Sequence, residues 1–419
     1  MKTITFILLI FSSVCYGQII NFPDNNFKNA LLNHDPVIDL NGDGEIQVSE
    51  AAAFVQPLHI DNKNISDMTG IKNFINLEQL VCMDNNLTTL DVSNIPLKFL
   101  ICRENQIDIL NVSNTNLFYL DCSDNLLTAI DMSQLTELNE LHCWNNLISN
   151  LDVSALPNLW VLYCSYNQIQ DLGSLPTSLG VLLADSNLLT NINLENSTNL
   201  HTLDVSDNNL SSIDISNTMV DRLSCSNNQI TSLEVINNGN GFPLSNLECA
   251  GNLITELNLE DTWVIGLDCS NNPHLESINL RNGYNSQFNY SVSNFGYLPL
   301  LESVCIDNRN PSLMGFIQNG AGHNVDFYTS ENCDVLLGSL DNQISPLTIS
   351  PNPVKNILNI NSEYGFKNAQ IFNAMGQKVF SEENLNTKEI DVSNLKSGVY
   401  FLKLTDEENN STVKKFIKE

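Results

Sequence analysis

Positive charge is scarce in this chain of 419 residues, in which 18 Lys and Arg residues stand against 48 Asp and Glu residues, for a net charge of −30. An excess of negative charge of this size repels phosphate backbones and anionic lipid headgroups. The composition therefore argues against nucleic acid as a partner.

Long apolar runs are also scarce, and the one at the start of the chain is short. Residues 1–17 combine an early lysine, an apolar run from Ile4 to Phe11 and small residues before Gly17. This arrangement predicts a secretory signal peptide that is cleaved before Gln18. Nothing later in the sequence is long and apolar enough to cross a bilayer, so we expect no transmembrane segment.

Catalytic patterns are missing as well. The six histidines are scattered along the chain. The sequence has no Ser/His/Asp order and no glycine-rich phosphate loop. We therefore predict that the protein is not an enzyme.

What the chain does contain is a repeat. From Val55 onward the pattern L-x-x-L-x-C-x-x-N-x-L-x-x-L-x-V recurs, with most successive starts 20 to 22 residues apart, and we number its copies as coils 1 to 11. The coils start at Val55, Leu77, Leu97, Leu117, Leu138, Leu159, Leu179, Leu200, Val220, Leu244 and Val264, and a weaker terminal copy starts near Leu301. Such a period is typical of a leucine-rich repeat solenoid, whose coils bury their leucines only by stacking on one another.

Strand alternation predicts where each position of a coil points. Positions 4 and 6 should face inward and positions 3, 5 and 7 outward, on a parallel sheet with about 4.8 Å between coils. Position 6 holds cysteine in eight coils and Ala184 or Val205 in two others, which favours packed thiols over bridges or metal ligands. Position 9 holds asparagine in ten coils, and a stacked amide there can donate to one coil and accept from another.

The repeat resembles the leucine-rich repeat proteins of Bacteroidetes-type bacteria, whose coils carry LxCSxNxLTxLDVS motifs. The resemblance covers residues 55 to about 306. It implies a solenoid of the α/β class that is here rich in β-strand, with little helix and a parallel concave sheet. For function, it implies a recognition surface.

Outward aromatic side chains are concentrated on coils 3 to 6. They are Phe99, Phe118, Tyr119, His142, Trp144, Trp160, Tyr163 and Tyr166. We predict that they form one patch on the concave face and bind a ligand, because both protein partners and sugar rings use adjoining exposed aromatics. A self-contained ladder of rings that stiffens the sheet is the alternative.

Residues 39–50, DLNGDGEIQVSE, match a twelve-residue calcium loop. The expected ligands are Asp39, Asn41 and Asp43, the carbonyl of Glu45, Gln47 through a water, and the closing carboxylate of Glu50. Short helices on both sides make the segment resemble an EF-hand. We expect a structural calcium ion that stiffens the N-terminal cap, and a surface turn without an ion is the alternative.

Two cysteines, Cys305 and Cys333, fall outside the repeat. In an exported protein we expect them to form a disulfide that closes the C-terminal cap. Free thiols are the alternative.

The chain changes character after residue 345. Short alternating strands separated by Asn, Gly and Pro turns predict a small all-β, immunoglobulin-like sandwich of about seven strands. Nine of the 18 Lys and Arg residues lie after Asn342, opposite nine acids, so the charge balance also indicates a second module.

This module resembles the type A sorting domain of the type IX secretion system. The matching residues are Pro351, Asn352 and Pro353 at its start, Gly376 in the middle, Gly398, Val399 and Tyr400 in a late strand, and Lys414 and Lys415 near the end. The resemblance implies export across the outer membrane by the type IX machinery. Removal of the module and either surface attachment or release would follow.

These patterns together predict five segments: a signal peptide (1–17), an N-terminal cap (18–54), the repeats (55–306), a C-terminal cap with linker (307–345) and the sorting domain (346–419). We expect a non-catalytic, secreted or cell-surface recognition or adhesion protein that binds an unknown protein or glycan. A structural acidic spacer of the cell surface is the alternative.

Overall fold

The computed structural model describes residues 17–233, 235, 244–260, 262–329, 333, 348–362, 366–373, 377–383, 388–405 and 411–418. Residues 1–16 of the predicted signal peptide and Gly376 of the sorting motif lie outside the described residues. The chain divides into two compact units, formed by residues 1–302 with 310–325 and by residues 303–309 with 326–419.

Two short helices precede the repeats in the first unit. Helix α1 spans Asn25–Leu32 and helix α2 spans Val48–Ala53. The Asp24 carboxylate caps α1 by accepting the N–H groups of Asn26 and Phe27, and it also accepts the N–H and hydroxyl of Ser66. One carboxylate therefore holds the helix and fastens it to coil 1.

The repeats form short strands, most of them three residues long. In chain order they are β1 Leu58–His59, β2 Gln79–Val81, β3 Thr89–Asp91, β4 Phe99–Ile101, β5 Ile109–Asn111, β6 Tyr119–Asp121, β7 Glu140–His142, β8 Val161–Tyr163, β9 Val181–Leu183, β10 Thr202–Asp204, β11 Arg222–Ser224, β12 Asn246–Glu248, β13 Glu256–Asn258, β14 Gly266–Asp268 and β15 Ser277–Leu280. Eleven of them pair side by side in the order β1-β2-β4-β6-β7-β8-β9-β10-β11-β12-β14, which we call the main sheet. Each predicted coil contributes one of these strands, as expected for a solenoid of stacked parallel strands.

The pairing in the main sheet is parallel and in register. Leu100 of coil 3 lies opposite Leu120 of coil 4, which is followed by Leu141 and Leu162 in the next two coils. All four leucines are fully buried. The inward direction predicted for position 4 is therefore correct, and so is that of position 6, whose cysteines are buried in all eight coils.

The asparagine at position 9 joins successive coils. Asn125, for example, accepts the N–H of Ile107 in coil 3 and donates to the Cys102 carbonyl of that coil and to the Cys122 carbonyl of its own. The amide therefore both accepts from and donates to the preceding coil, rather than accepting from one neighbour and donating to the other. Nine other coils repeat this arrangement, through Asn85, Asn105, Asn146, Asn167, Asn187, Asn208, Asn228, Asn252 and Asn272.

Turns and a few short strands complete each coil. Strand β3 pairs with β5 and strand β13 pairs with β15, both in parallel. Aspartates such as Asp131, Asp152 and Asp214 follow in other coils and accept the N–H of the serine two residues later. This side-chain turn replaces strand pairing where the chain bends. Two single-turn 3₁₀ helices lie at Ile71–Asn73 and Asn285–Gln287.

The last coil of the first unit is covered by residues 281–300 and by helix α3, which spans Pro311–Ala321. The Asn294 carbonyl accepts the N–H of Cys269, and Asn294 bridges in parallel to Asp268 at the end of β14. Phe316 of α3 packs against Phe295 with ring centroids 6.0 Å apart. Segment 281–300 therefore lies beside the final strand of the main sheet and not over coils 3 to 6.

The second unit begins with the parallel strands β16 Ser303–Ile306 and β17 Asp326–Tyr328. Within its described residues, seven further strands follow: β18 Thr348–Ser350, β19 Ile357–Asn361, β20 Asn368–Asn373, β21 Lys378–Glu383, β22 Glu389–Asp391, β23 Gly398–Thr405 and β24 Ser411–Lys418. They form two antiparallel sheets, β18-β19-β22 and β21-β20-β23-β24. Residues of both sheets, including Leu358, Ile371, Ile390 and Leu402, share one apolar core, so the module is a small β-sandwich.

Candidate functional site

Four of the eight predicted patch residues form a continuous row on the exposed face of the main sheet. The Phe99 and Tyr119 rings stack with centroids 4.5 Å apart, Tyr119 meets His142 edge-on at 5.2 Å, and His142 stacks on Tyr163 at 4.6 Å. We call these four residues the ring row. The parallel register places Phe99 directly beside Tyr119 and His142 directly beside Tyr163, whereas Tyr119 meets His142 across a diagonal.

Charged and polar groups border the ring row. The Tyr119 hydroxyl lies 3.4 Å from His142 Nδ1, and the Glu140 carboxylate lies 3.8 Å from His142 Nε2. Asp121, next to Tyr119 in β6, is buried, and its Oδ2 lies 4.0 Å from Arg103 Nε. Within the described residues, neither Arg103 Nε nor His142 Nε2 forms a hydrogen bond, although both atoms are buried.

The ring row is electrically neutral at pH 7. Burial lowers the pKa of the His142 imidazole below its ordinary value, although the carboxylates of Asp121 and Glu140 oppose this shift. Burial raises the pKa of the Tyr119 phenol to about 12, and the same two carboxylates add to that shift. The row thus presents uncharged rings with carboxyl groups along their edge. Such a surface can contact polarised C–H groups or cations of a ligand.

The other predicted patch residues lie outside the row. Phe118 and Trp160 occupy position 2 of coils 4 and 6, where their side chains are 53% and 41% exposed. Trp144 is half-buried at position 7 of coil 5. The sequence pattern placed all eight residues in one patch, whereas the ring contacts among the described residues join only the four of the row.

Tyr166 lies in a turn rather than on a strand. Its φ angle is 55°, which is the left-handed region, and its side chain is 60% exposed. The same position of the neighbouring coils is also left-handed and holds the smaller Asn145 and Ser186. Tyrosine is an unfavourable residue for this backbone conformation, so Tyr166 carries local strain.

A cavity of about 420 Å³ opens beside the ring row. Its lining comprises Phe118, Glu137, Asn139, Asn158, Trp160 and Ser178. The polar members of this set were not among the predicted site residues, because in the sequence they are ordinary outward or turn positions of the repeat. The recurrence of an aromatic residue at position 2, two coils apart, is the signal that could have found the cavity.

The predicted calcium loop is folded around its own side chains. Asp39 accepts the N–H groups of Gly42 and Gly44, and Glu50 accepts those of Leu40, Asn41 and Gln47. The Asn41 amide group donates both to Asp43 Oδ2, at 3.1 Å, and to Gln47 Oε1, at 2.9 Å. Across the part of the chain that the structure describes, no three His, Cys, Asp or Glu side chains are grouped as for a metal ion.

All ten cysteines among the described residues are buried. Burial raises the pKa of the thiols of the repeat, to about 12 for Cys82, Cys143 and Cys225. These thiols are therefore protonated and unreactive at pH 7. Cys305 and Cys333 are buried too, and the disulfide between them stays a prediction.

In the second unit, Asn352 of the predicted sorting motif joins the start of the sandwich to its last strand. Its Oδ1 accepts the Ile417 N–H at 2.8 Å, and its Nδ2 donates to the Lys415 carbonyl at 3.3 Å. Tyr400 stacks on Phe416 and donates its hydroxyl to the Lys396 carbonyl. These motif residues thus hold the fold of the module.

Comparison with known families identifies the export route of the protein. Residues 348–419 match the family described as the secretion system C-terminal sorting domain. The chain is exported by type IX secretion to the cell surface or beyond. None of the helices in the described residues reaches the length and apolarity needed for a membrane span.

Comparison with individual proteins supports the fold of the repeats. Internalin J of Listeria monocytogenes is 36% identical over 72 residues, which is 17% of this chain and only 7% of that protein. The solved functional domain of InlJ from Listeria monocytogenes, which includes a cysteine ladder, is 23% identical over 96% of this chain and 99% of its own, with a TM-score of 0.50. YopM from Yersinia enterocolitica is 25% identical over 57% of this chain and 53% of its own, with a TM-score of 0.40. The likeness to the InlJ domain shows that the exported protein has the leucine-rich repeat fold, and no catalytic family is indicated.

Proposed function

We propose that this exported protein is a non-catalytic recognition protein, used in adhesion, that binds a protein or glycan on the exposed face of coils 3 to 6. The observation that supports the proposal is the exposure of Phe118, Trp160 and Tyr166 around the ring row. Exposed aromatic surface that adjoins in space is unfavourable in water and is typical of binding sites. The bordering carboxyl groups of Asp121 and Glu140 favour a cationic or hydroxyl-rich ligand.

An array of glycans and surface proteins probed with the full chain tests this proposal. A triple variant should lose capture of any ligand that the unchanged chain retains. Its substitutions are Trp144→Ala, Trp160→Ala and Tyr163→Ala. Trp263→Ala is a matched control, because Trp263 is also exposed but lies between coils 10 and 11. Unchanged capture by the triple variant, with its circular dichroism spectrum intact, would contradict the proposal.

A second candidate function is that of a stiff acidic spacer of the cell surface. The observation that favours it is that the four rings of the ring row pack on one another and are each partly buried. Cross-strand ring contacts of this kind stabilise a sheet without any ligand. Segment 281–300 does not cover coils 3 to 6, which favours recognition over the spacer.

Calcium binding by residues 39–50 is a further part of the proposal. The side-chain oxygens of Asp43 and Gln47 converge on the amide group of Asn41, and Gly44 has the positive φ that the loop turn requires. Asp39, Asn41, Asp43, Gln47, Glu50 and the Glu45 carbonyl would hold the ion. Calcium prefers such oxygen ligands, and it would stiffen the cap between α1 and α2.

We also propose that the type IX machinery recognises the sandwich module and that the module is removed after export. Asn352 would contribute to this recognition indirectly, by holding the last strand of the module in place. The mass of the protein recovered from culture medium or cell surface tests removal. A mature mass that still includes residues 348–419 would contradict it.

A further inference from the structure

The cavity beside the ring row has the size and lining of a small-molecule site. Its volume of about 420 Å³ lies in the range of roughly 300–1,000 Å³ that is usual for ligand pockets. Two of its six lining residues are aromatic, and the remaining four are polar or acidic. We call it the flank cavity.

The two aromatic side chains of the flank cavity are separated by one coil. Phe118 and Trp160 lie at position 2 of coils 4 and 6, and Asn139 occupies that position in coil 5 between them. The backbone confirms this order, since Asn139 N–H donates to the Phe118 carbonyl and Trp160 N–H donates to the Asn139 carbonyl. Two steps of about 4.8 Å separate their backbones by about 9.6 Å.

The absence of a side chain at Gly180 leaves room for the Trp160 indole. A Cβ atom at Gly180 would lie 2.4 to 2.5 Å from the Cζ2, Cε2 and Cη2 atoms of that indole. The indole therefore leans over Gly180 in coil 7, toward His201, whose ring centroid lies 6.3 Å away. This position keeps the space above Asn139 open.

The polar lining of the flank cavity offers mainly acceptors. Asn139 Nδ2 donates to the Asn158 carbonyl, Asn158 Nδ2 donates to the Thr136 carbonyl, and the Ser178 hydroxyl donates to the Leu159 carbonyl. The serine hydroxyl and one of the two N–H groups of each amide are thus used within the protein, which leaves one N–H on each amide. The amide oxygens of Asn139 and Asn158 and the carboxylate of Glu137 supply acceptors, so the lining complements a ligand that is rich in hydrogen-bond donors.

We propose that the flank cavity binds one pyranose ring of a neutral glycan. The C–H faces of a pyranose would contact Phe118 and Trp160, whose ring faces carry partial negative charge. The hydroxyl groups at the edge of the sugar would donate to Asn139 and Glu137. A net charge of −30 disfavours acidic sugars. This inference rests on the proposed recognition function and names the ligand class for one part of that face.

The test is an array of neutral oligosaccharides probed with the full chain, followed by titration of each sugar that is retained. Trp160→Ala should weaken binding at least tenfold, and Phe118→Ala should have a similar effect. Gly180→Ala should also weaken binding at least tenfold, although it removes neither ring, because it displaces the indole. Trp263→Ala should leave the affinity within twofold of that of the unchanged chain.

Three outcomes would overturn the glycan proposal or its assignment to the flank cavity. If the array retains no neutral sugar, the glycan proposal is wrong. The wider recognition function still stands if the chain captures a protein ligand and the triple variant loses it. Sugar binding that survives Trp160→Ala and Gly180→Ala overturns the assignment to this cavity. Retention of a lysine-rich peptide but no sugar would identify a site for cations instead, and the glycan proposal would be wrong.

Discussion

The side-chain amide of Asn146 in coil 5 accepts the N–H of Leu127 in coil 4 at 2.9 Å, and it donates to the Cys122 carbonyl at 3.1 Å. The amide oxygen thus pairs a backbone N–H of coil 4, and the amide nitrogen is a second donor to a carbonyl that already accepts from Asn125. Asn146 is itself buried, so water cannot replace it.

Asn146→Ala should lower the free energy of unfolding by about 1–3 kcal/mol, because it leaves the buried Leu127 N–H without a partner and removes one of the two side-chain donors to the Cys122 carbonyl. Urea denaturation followed by circular dichroism measures this loss. Asn150→Ala, at an exposed asparagine of the same coil, should change stability by less than about 0.5 kcal/mol. Equal effects of the two substitutions would show that the buried amide is not what joins the coils.

Tyr166→Asn should stabilise the protein by about 1 kcal/mol, because asparagine tolerates the left-handed backbone that tyrosine resists. The reverse change at the matching turn of coil 7, Ser186→Tyr, should destabilise it. Thermal denaturation of both variants gives the comparison. A fall in stability for Tyr166→Asn would mean that contacts of the tyrosine ring outweigh the backbone strain.

Calcium should bind to residues 39–50 of the full chain and raise its melting temperature. Asp39→Ala should remove the heat of binding in isothermal titration calorimetry, since position 1 of the loop supplies a carboxylate ligand. Asp61→Asn, which changes an acid outside the loop, should leave that heat unchanged. A calcium titration of the unchanged chain without heat and without a shift in melting temperature would rule out the loop as a calcium site.

Acid should destabilise the repeats through the aspartates of the side-chain turns. Hydrogen bonds from the serine hydroxyls and N–H groups two residues later lower the pKa of Asp131, Asp152 and Asp214. Their folded-state pKa lies below the unfolded value of about 3.9, so their contribution to stability is present above about pH 4 and is lost as the pH falls through the folded pKa.

The matching measurement is the free energy of unfolding between pH 6 and pH 2. Replacing Asp131, Asp152 and Asp214 together by Asn should make that free energy less dependent on pH below about pH 4. An unchanged slope in the triple variant would show that other carboxylates govern the acid transition.

The repeat made the solenoid predictable, since burial follows position within the coil. Leu141 and Cys143 alternate with His142 in the sequence, and the structure buries the first two while placing His142 in the ring row. The amide of Asn146 was predictable for the same reason. Its attachment to the preceding coil alone was not, because the direction in which a coil rises does not follow from the pattern.

The candidate site was only partly predictable. Alternation indicates that Phe99, Tyr119 and Tyr163 share a face, but it says nothing of how a ring tilts. The separation of Trp160 from the ring row depends on Gly180, a neighbour whose missing side chain leaves space for the indole. Contacts between coils that are 20 residues apart in sequence decide such details, so the recurrence of an aromatic residue at position 2 could have indicated the flank cavity but not its shape.

Each position-9 asparagine bonds to the preceding coil, so the stack of coils has a direction. This direction matters for how the array can evolve. A coil that is duplicated within the gene brings its own asparagine, and that asparagine serves the coil before it. Whole coils can therefore be gained or lost inside the array while every junction between coils keeps its asparagine hydrogen bonds.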